Sequence, residues 1–135
     1  MAKIYLDSCV VIGLIEGSAK QRQVLKRHLF NHYLFSSELV RLEARVLVLR
    51  ENNQFALKQY NSFFDACEMV NLDRSVFECA TILRVEKQIK IPDALHLASA
   101  IISNCDEFWT NDLRLASYAA TKIQVKDWNQ LEQQE

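Results

Sequence analysis

Four carboxylates carry the chemistry this sequence offers: Asp7, Glu43, Asp93 and Asp112. Asp7 ends the apolar run KIYL, Asp93 follows Ile91-Pro92, and Asp112 closes EFWTND. Glu43 differs, because it lies inside the helix-like run ELVRLEARVLVL. Oxygen-only carboxylate clusters suit Mg²⁺ or Mn²⁺, hard cations that take octahedral oxygen shells and keep several waters. Such an ion makes bound water a better nucleophile and polarises a phosphoryl oxygen, and two ions can steady both oxygens during phosphodiester cleavage. Without a cation, gathered carboxylates repel and raise one another's pKa values. Taken singly, each acid has an ordinary reading: Asp7 and Asp112 as helix caps, Asp93 on a helix dipole, Glu43 in a salt bridge with Arg41 or Arg45.

A common site requires elements that bring distant residues to one edge, and short apolar runs alternating with helical periods supply them. That alternation is the mark of an α/β domain with a mainly parallel sheet. Lys3–Leu6, Leu34–Phe35, Met69–Leu72, Glu107–Thr110 and Ile123–Val125 read as strands. A helix is expected over Ser18–Tyr33, with Val24, Leu25, His28, Leu29 and His32 on one stripe. Ser36 and Ser37 offer an N-cap for a helix that turns Leu39, Leu42, Val46 and Leu49 inward, and Asn52-Asn53 interrupts it. Glu43, at i+4 from Leu39, then falls within or beside the apolar stripe and needs a partner, because burying it uncompensated costs several kcal/mol. Helices also fit Phe55–Ala66, the segment capped by Asp73 with Val76, Ala80 and Leu83 inward, and Leu113–Ala120. Pro92 disfavours helix before it and suits a first turn, which places Asp93 at the opening of ALHLASAIISN. Asp7, Asp93 and Asp112 therefore share a structural place, the carboxyl edge of a parallel sheet where ligands usually bind.

Composition narrows the alternatives. At 135 residues with 50% hydrophobic content, one domain spanning 1–135 is expected. Two glycines and one proline leave no Gly-rich phosphate loop and no flexible linker. A net charge of −1 names no partner, but Lys20, Arg22, Lys26, Arg27, Arg41, Arg45 and Arg50 face only Glu38 and Glu43 between Ser18 and Arg50. That segment is either a solvated helix face or a surface for polyanion phosphates. Cys9, Cys67, Cys79 and Cys105 are widely spaced without a CxxC pair, which excludes a zinc ribbon or a thioredoxin-like motif. No stretch approaches the ~18 apolar residues of a membrane span, and the N-terminal run is too short for a secretory signal. A cytoplasmic setting is expected.

The runs IYLDSCVVIGLIEG, SSELVRLEAR, IKIPDALHLASAI and DEFWTNDLRLA together resemble the PIN-domain nucleases, particularly VapC-type toxins of bacterial toxin–antitoxin pairs. The resemblance spans nearly the whole chain. It implies a three-layer α/β/α sandwich and RNA hydrolysis with Mg²⁺ or Mn²⁺ held by Asp7, Glu43, Asp93 and Asp112. It also implies a cognate antitoxin that inserts near the site and, commonly, a homodimer. Ser8 and Thr110 match small hydroxyl positions and either orient carboxylates and metal waters or serve as cap and core hydroxyls. Asn111 is placed to touch a phosphate or to shape the turn. Arg41 and Arg45 are candidates for RNA contact or for an antitoxin's acids; His96, three residues after Asp93, either approaches the site or is a satisfied structural histidine, and the second reading is preferred. The competing reading is a non-catalytic PIN-like module that binds RNA or protein. A haloacid-dehalogenase-like phosphatase fits poorly, since its second aspartate would stand where Cys9 does.

Overall fold

The computed structural model describes residues 1–135. Five strands, β1 (Lys3–Leu6), β2 (Tyr33–Ser37), β3 (Glu68–Val70), β4 (Glu107–Trp109) and β5 (Gln124–Lys126), form one sheet in the order β3-β2-β1-β4-β5. Every pairing is parallel. β1 lies at the centre, and its Ile4, Tyr5 and Leu6 are all buried, as expected of a parallel strand covered on both faces. The chain winds outward from β1 through β2 to β3, then returns to the other side of β1 for β4 and β5. By the right-handed rule for parallel crossovers, winding in opposite directions from β1 puts helices on both faces, and the reversal makes β1/β4 a topological switch point.

Seven helices make the connections, α1 (Ser8–Glu16), α2 (Ala19–Leu29), α3 (Glu38–Arg50), α4 (Gln54–Asp65), α5 (Arg74–Glu86), α6 (Ile91–Ile102) and α7 (Leu113–Ala119), and α8 (Trp128–Gln133) follows β5. Their starts follow side-chain chemistry. Ser18, Ser37, Asn53, Asp73 and Asp127 each accept a backbone N–H from the first turn of the helix they precede. Asn31, Asn52 and Asn104 take φ of 67°, 54° and 56°, the left-handed conformation that asparagine tolerates better than other non-glycine residues. Val76, Ala80 and Leu83 of α5 are buried as their spacing predicts. No helix is long and apolar enough to cross a membrane.

Several expectations are corrected. The sequence offers α1 only as a helix that Asp7 could cap, with no extent, because Val10, Val11, Ile12 and Gly13 weaken helix propensity; the cap and the burial of Val10, Val11 and Leu14 override it. α8, only six residues long, is additional. α2 stops at Leu29, and His32, beyond its end, accepts the Ala2 N–H instead of extending the stripe. The stripe of α3 is rotated from its expected phase: Val40, Ala44 and Val48 are buried, whereas Leu42 and Leu49 are 58% and 53% exposed. Two apolar stripes compete on this helix, and the one with small side chains takes the crowded side.

Candidate metal centre

The site is built from the carboxyl end of β1. Asp7 leaves the sheet with its N–H still donating to the Trp109 carbonyl at 3.0 Å, then caps α1 by accepting the Ser8 N–H on Oδ1 at 2.7 Å. Its Oδ2 accepts the Thr110 hydroxyl at 2.8 Å, so a carboxylate only 6% exposed has backbone and side-chain donors. Thr110, fully buried just past β4, also accepts the Asp112 N–H on the same hydroxyl oxygen at 3.2 Å. Asp112 in turn caps α7, its Oδ1 accepting the Arg114 and Leu115 N–H groups at 3.0 and 3.3 Å. One hydroxyl thus joins two acids from strands adjacent at the switch point.

The other two acids come from helices. Asp93 lies in the first turn of α6 behind Pro92 and is half-buried. Its carboxyl is pushed above the usual range by burial first and then by the charges of Asp7 and Asp112, while His96 and Lys90 pull it back. Those causes show that three acids share one electrostatic space. Glu43 stands three residues after Val40 and one before Ala44, at the edge of the buried stripe of α3, which leaves it half-buried despite the changed phase. Its partner is His96, whose Nε2 lies 2.6 Å from Glu43 Oε1 and 3.7 Å from Asp7 Oδ1. Ligand atoms of Asp7, Glu43 and His96 all lie within 4.8 Å of one another.

Neither arginine pairs with Glu43. Arg45 donates to the Arg41 carbonyl at 3.2 Å and to Asn61 Oδ1 at 3.1 Å, and Arg41 lies 3.4 Å from Glu38 on the exposed side of α3. Ser8 gives Asp7 its backbone N–H. The Asn111 side-chain oxygen accepts the Trp128 N–H at 2.9 Å and so ties the turn after β4 to α8. Asp106 accepts the Lys3 N–H at 2.8 Å, at the far end of β1.

His96 is the residue that sequence reasoning undervalued. It is satisfied, as expected, but it sits inside the acidic centre. A signal existed: a lone titratable residue one helical turn beyond Asp93, in a segment where every residue from Ala94 to Ala100 is buried.

The donor set is rich in carboxylate oxygen, and burial first and then the neighbouring charges of Asp7 and Asp112 lift Asp93, so the residues fit a hard divalent cation.

Residues 4–121 match the family profile described as PIN domain. No curated protein matches the chain. Among solved structures, the chain is similar to the VapBC2 complex of Rickettsia felis bound to a promoter DNA fragment, with TM-score 0.73, 19% identity, and coverage of 93% of this chain and 98% of that one. It is also similar to a toxin–antitoxin complex from Klebsiella pneumoniae, with TM-score 0.68, 21% identity, and 82% and 88% coverage. A third similarity is to the Mycobacterium tuberculosis toxin VapC20, described as cleaving the sarcin–ricin loop, with TM-score 0.67, 16% identity, and 89% and 95% coverage.

Proposed function

This chain belongs to the PIN-domain family, and on that premise we propose that it is a metal-dependent endoribonuclease, a single domain over residues 1–135 acting as the toxin of a toxin–antitoxin pair. The observation that carries this reading is the gathering of Asp7, Glu43 and His96 ligand atoms within 4.8 Å at the switch point of a parallel sheet, with Asp112 joined to Asp7 through Thr110 and Asp93 within reach of the charges of both. Asp7, Asp93 and Asp112 would hold Mg²⁺ or Mn²⁺, with Glu43 alongside; the bound ion would supply an activated water and polarise the scissile phosphate. Thr110 fixes the orientation of Asp7 and the start of the Asp112 turn. Ser8 holds the other Asp7 oxygen through its N–H.

RNA as substrate is supported by the basic residues Lys20 to Arg50, whose cations suit a phosphate backbone. One structural neighbour is described as a toxin that cleaves the sarcin–ricin loop. Arg41 and Arg45 are the arginines nearest Glu43 in sequence and the first candidates for that contact.

An antitoxin partner is supported by two neighbours described as toxin–antitoxin or VapBC complexes. A groove of about 470 Å³, lined by Leu14, Leu29, Phe30 and Phe63 with Arg22 and Lys26, suits a segment with an apolar face and acidic flanks. A homodimer is supported by the outward Leu42, Leu47 and Leu49 of α3. In this reading the protein works in the cytoplasm.

The test is cleavage of structured and single-stranded RNAs by highly purified protein with Mg²⁺ or Mn²⁺, beside Asp7→Asn and Asp93→Asn. Metal-dependent cleavage lost in both variants is expected; equal cleavage by the variants would remove the site. A short upstream reading frame whose product relieves growth arrest on co-expression would establish the antitoxin.

A further inference from the structure

A buried hydrogen-bond chain runs from the start of α3 into the acidic centre. Ser37 Oγ accepts the Val40 N–H at 3.3 Å and lies 2.9 Å from the Tyr5 hydroxyl. The Tyr5 hydroxyl lies 2.9 Å from His96 Nδ1, and His96 Nε2 lies 2.6 Å from Glu43 Oε1. Ser37 and Tyr5 are fully buried and His96 is 1% exposed, so water does not substitute for any of these partners.

For a neutral His96 ring, donor and acceptor capacity places every proton in this chain. A ring nitrogen 2.6 Å from a carboxylate oxygen needs a proton between them, since two lone pairs at that distance repel. Glu43 is an acceptor when ionised, so His96 Nε2 carries that proton and donates it. Nδ1 is then the acceptor of a neutral ring and takes the Tyr5 hydroxyl proton; burial pushes the Tyr5 pKa upward, which keeps that proton in place. Tyr5 accepts in turn from Ser37, whose oxygen remains free to accept the Val40 N–H. Each hydroxyl donates once, and the ring needs no second proton.

We propose that Ser37, Tyr5 and His96 form a positioning relay that aims the Glu43 carboxylate into the metal centre, with His96 acting through its Nε2–H and not as a metal ligand. The proximity of His96 to Asp7 and Glu43 invites the opposite assignment, a mixed nitrogen and oxygen donor set. A ligating Nε2 must present its lone pair, and that lone pair is replaced by the N–H that Glu43 holds. Relays of this kind fix carboxylate orientation, and losing an outer partner typically weakens metal affinity about 10- to 100-fold.

The inference rests on the reading of Glu43 as a member of the metal centre, and its test does not require RNA cleavage. Nitrogen NMR of the imidazole in the whole protein, with and without Mg²⁺, reports which ring nitrogen is protonated. Nε2–H is expected in both states; loss of the Nε2 proton on adding Mg²⁺ would overturn the proposal. Calorimetric Mn²⁺ titration supplies the second arm. His96→Leu is expected to bind Mn²⁺ at least about tenfold more weakly and Tyr5→Phe several-fold more weakly. His96→Gln, whose amide N–H falls near the position of Nε2, is expected to return to within about threefold of the original affinity. Unchanged Mn²⁺ affinity in Tyr5→Phe and folded His96→Leu would reduce the chain to a structural feature, and failure of the glutamine to rescue would argue for direct ligation. Should His96→Leu not fold, the NMR experiment and Tyr5→Phe still decide. If metal binds with the relay intact while no RNA is cut, the relay stands and the nuclease reading falls.

Discussion

The centre has two halves built on different principles. At the strand ends, Asp7 and Asp112 are held by N–H groups of helices that begin beside them, and Thr110 links the pair. On the helices, Glu43 is held by His96, a residue 53 positions away, and the position of Asp93 follows from the first turn of α6. The first half is fixed by local backbone geometry; the second depends on how α3 and α6 approach each other. An acid at a strand end is therefore placed as soon as the strand and its following helix form, whereas an acid inside a helix is placed only by packing.

The largest expected effect strikes the strand-end half while sparing its scaffold. Asp7→Asn keeps an oxygen for the Ser8 N–H, and asparagine caps helices as well as aspartate does. Cleavage should fall on the order of 10³-fold, about 4 kcal/mol of barrier, with a melting temperature close to the original; a large loss of stability would mean that the cap and ligand roles are not separable.

Thr110→Val comes next, since it removes the group that ties the acids together in a fully buried position. Leaving the Asp112 N–H and an Asp7 oxygen short of a partner should cost about 1–3 kcal/mol in urea unfolding. Mn²⁺ affinity should fall about tenfold as well. An unaltered affinity would show that the two acids are oriented independently.

The helical half is sharpened by a stability comparison on α3. Val48→Ala, on the buried stripe, should cost about 2 kcal/mol, whereas Leu42→Ala, on the exposed one, should stay within about 0.5 kcal/mol in the monomer. The reverse ranking would restore the phase expected from sequence.

The smallest effect is a pH dependence of metal-free protein. Because the Asp93 carboxyl is raised in the folded state, that state binds its proton more tightly than the unfolded chain does. Its contribution is favourable at low pH and is lost as pH rises through the raised value. Asp73, lowered by Ser75 and the Val76 N–H, runs the other way: its contribution is present above the unfolded pKa and disappears as pH falls. In chelator, the melting temperature of Asp93→Asn relative to the parent should therefore rise with pH across the carboxylate range, and Mg²⁺ should reverse the trend.

The contrast between the halves also explains what could be read before the fold was known. Strand ends announce themselves: Leu6-Asp7 and Thr110-Asn111-Asp112 mark where apolar runs stop, and Pro92 marks where α6 begins. The parallel sheet and the carboxyl-edge position of the acids follow from such punctuation. The phase of α3 does not, because Leu39/Leu42/Val46/Leu49 and Val40/Ala44/Val48 are both apolar at helical spacing, and the choice between them is made by the neighbouring α1 and α4. For the same reason a cation and the flanking Arg41 and Arg45 are the partners that sequence offers Glu43, whereas α6 supplies His96 across the fold. The extent of α1 is not legible beyond its Asp7 cap, because its β-branched run and Gly13 speak against helix locally and the tertiary environment overrules them.

Asp7 and Asp112 each serve as a helix cap, and asparagine is the substitution of the same shape that preserves a cap while removing a negative charge. Aspartate and asparagine codons differ by a single base. A lineage under pressure to silence this protein therefore has a short mutational path at these positions, one that discards the chemistry and leaves the scaffold folded and able to meet its partners. Inactive descendants of such a chain would be recognised by asparagine at the strand ends, with the hydroxyl at position 110 still in place.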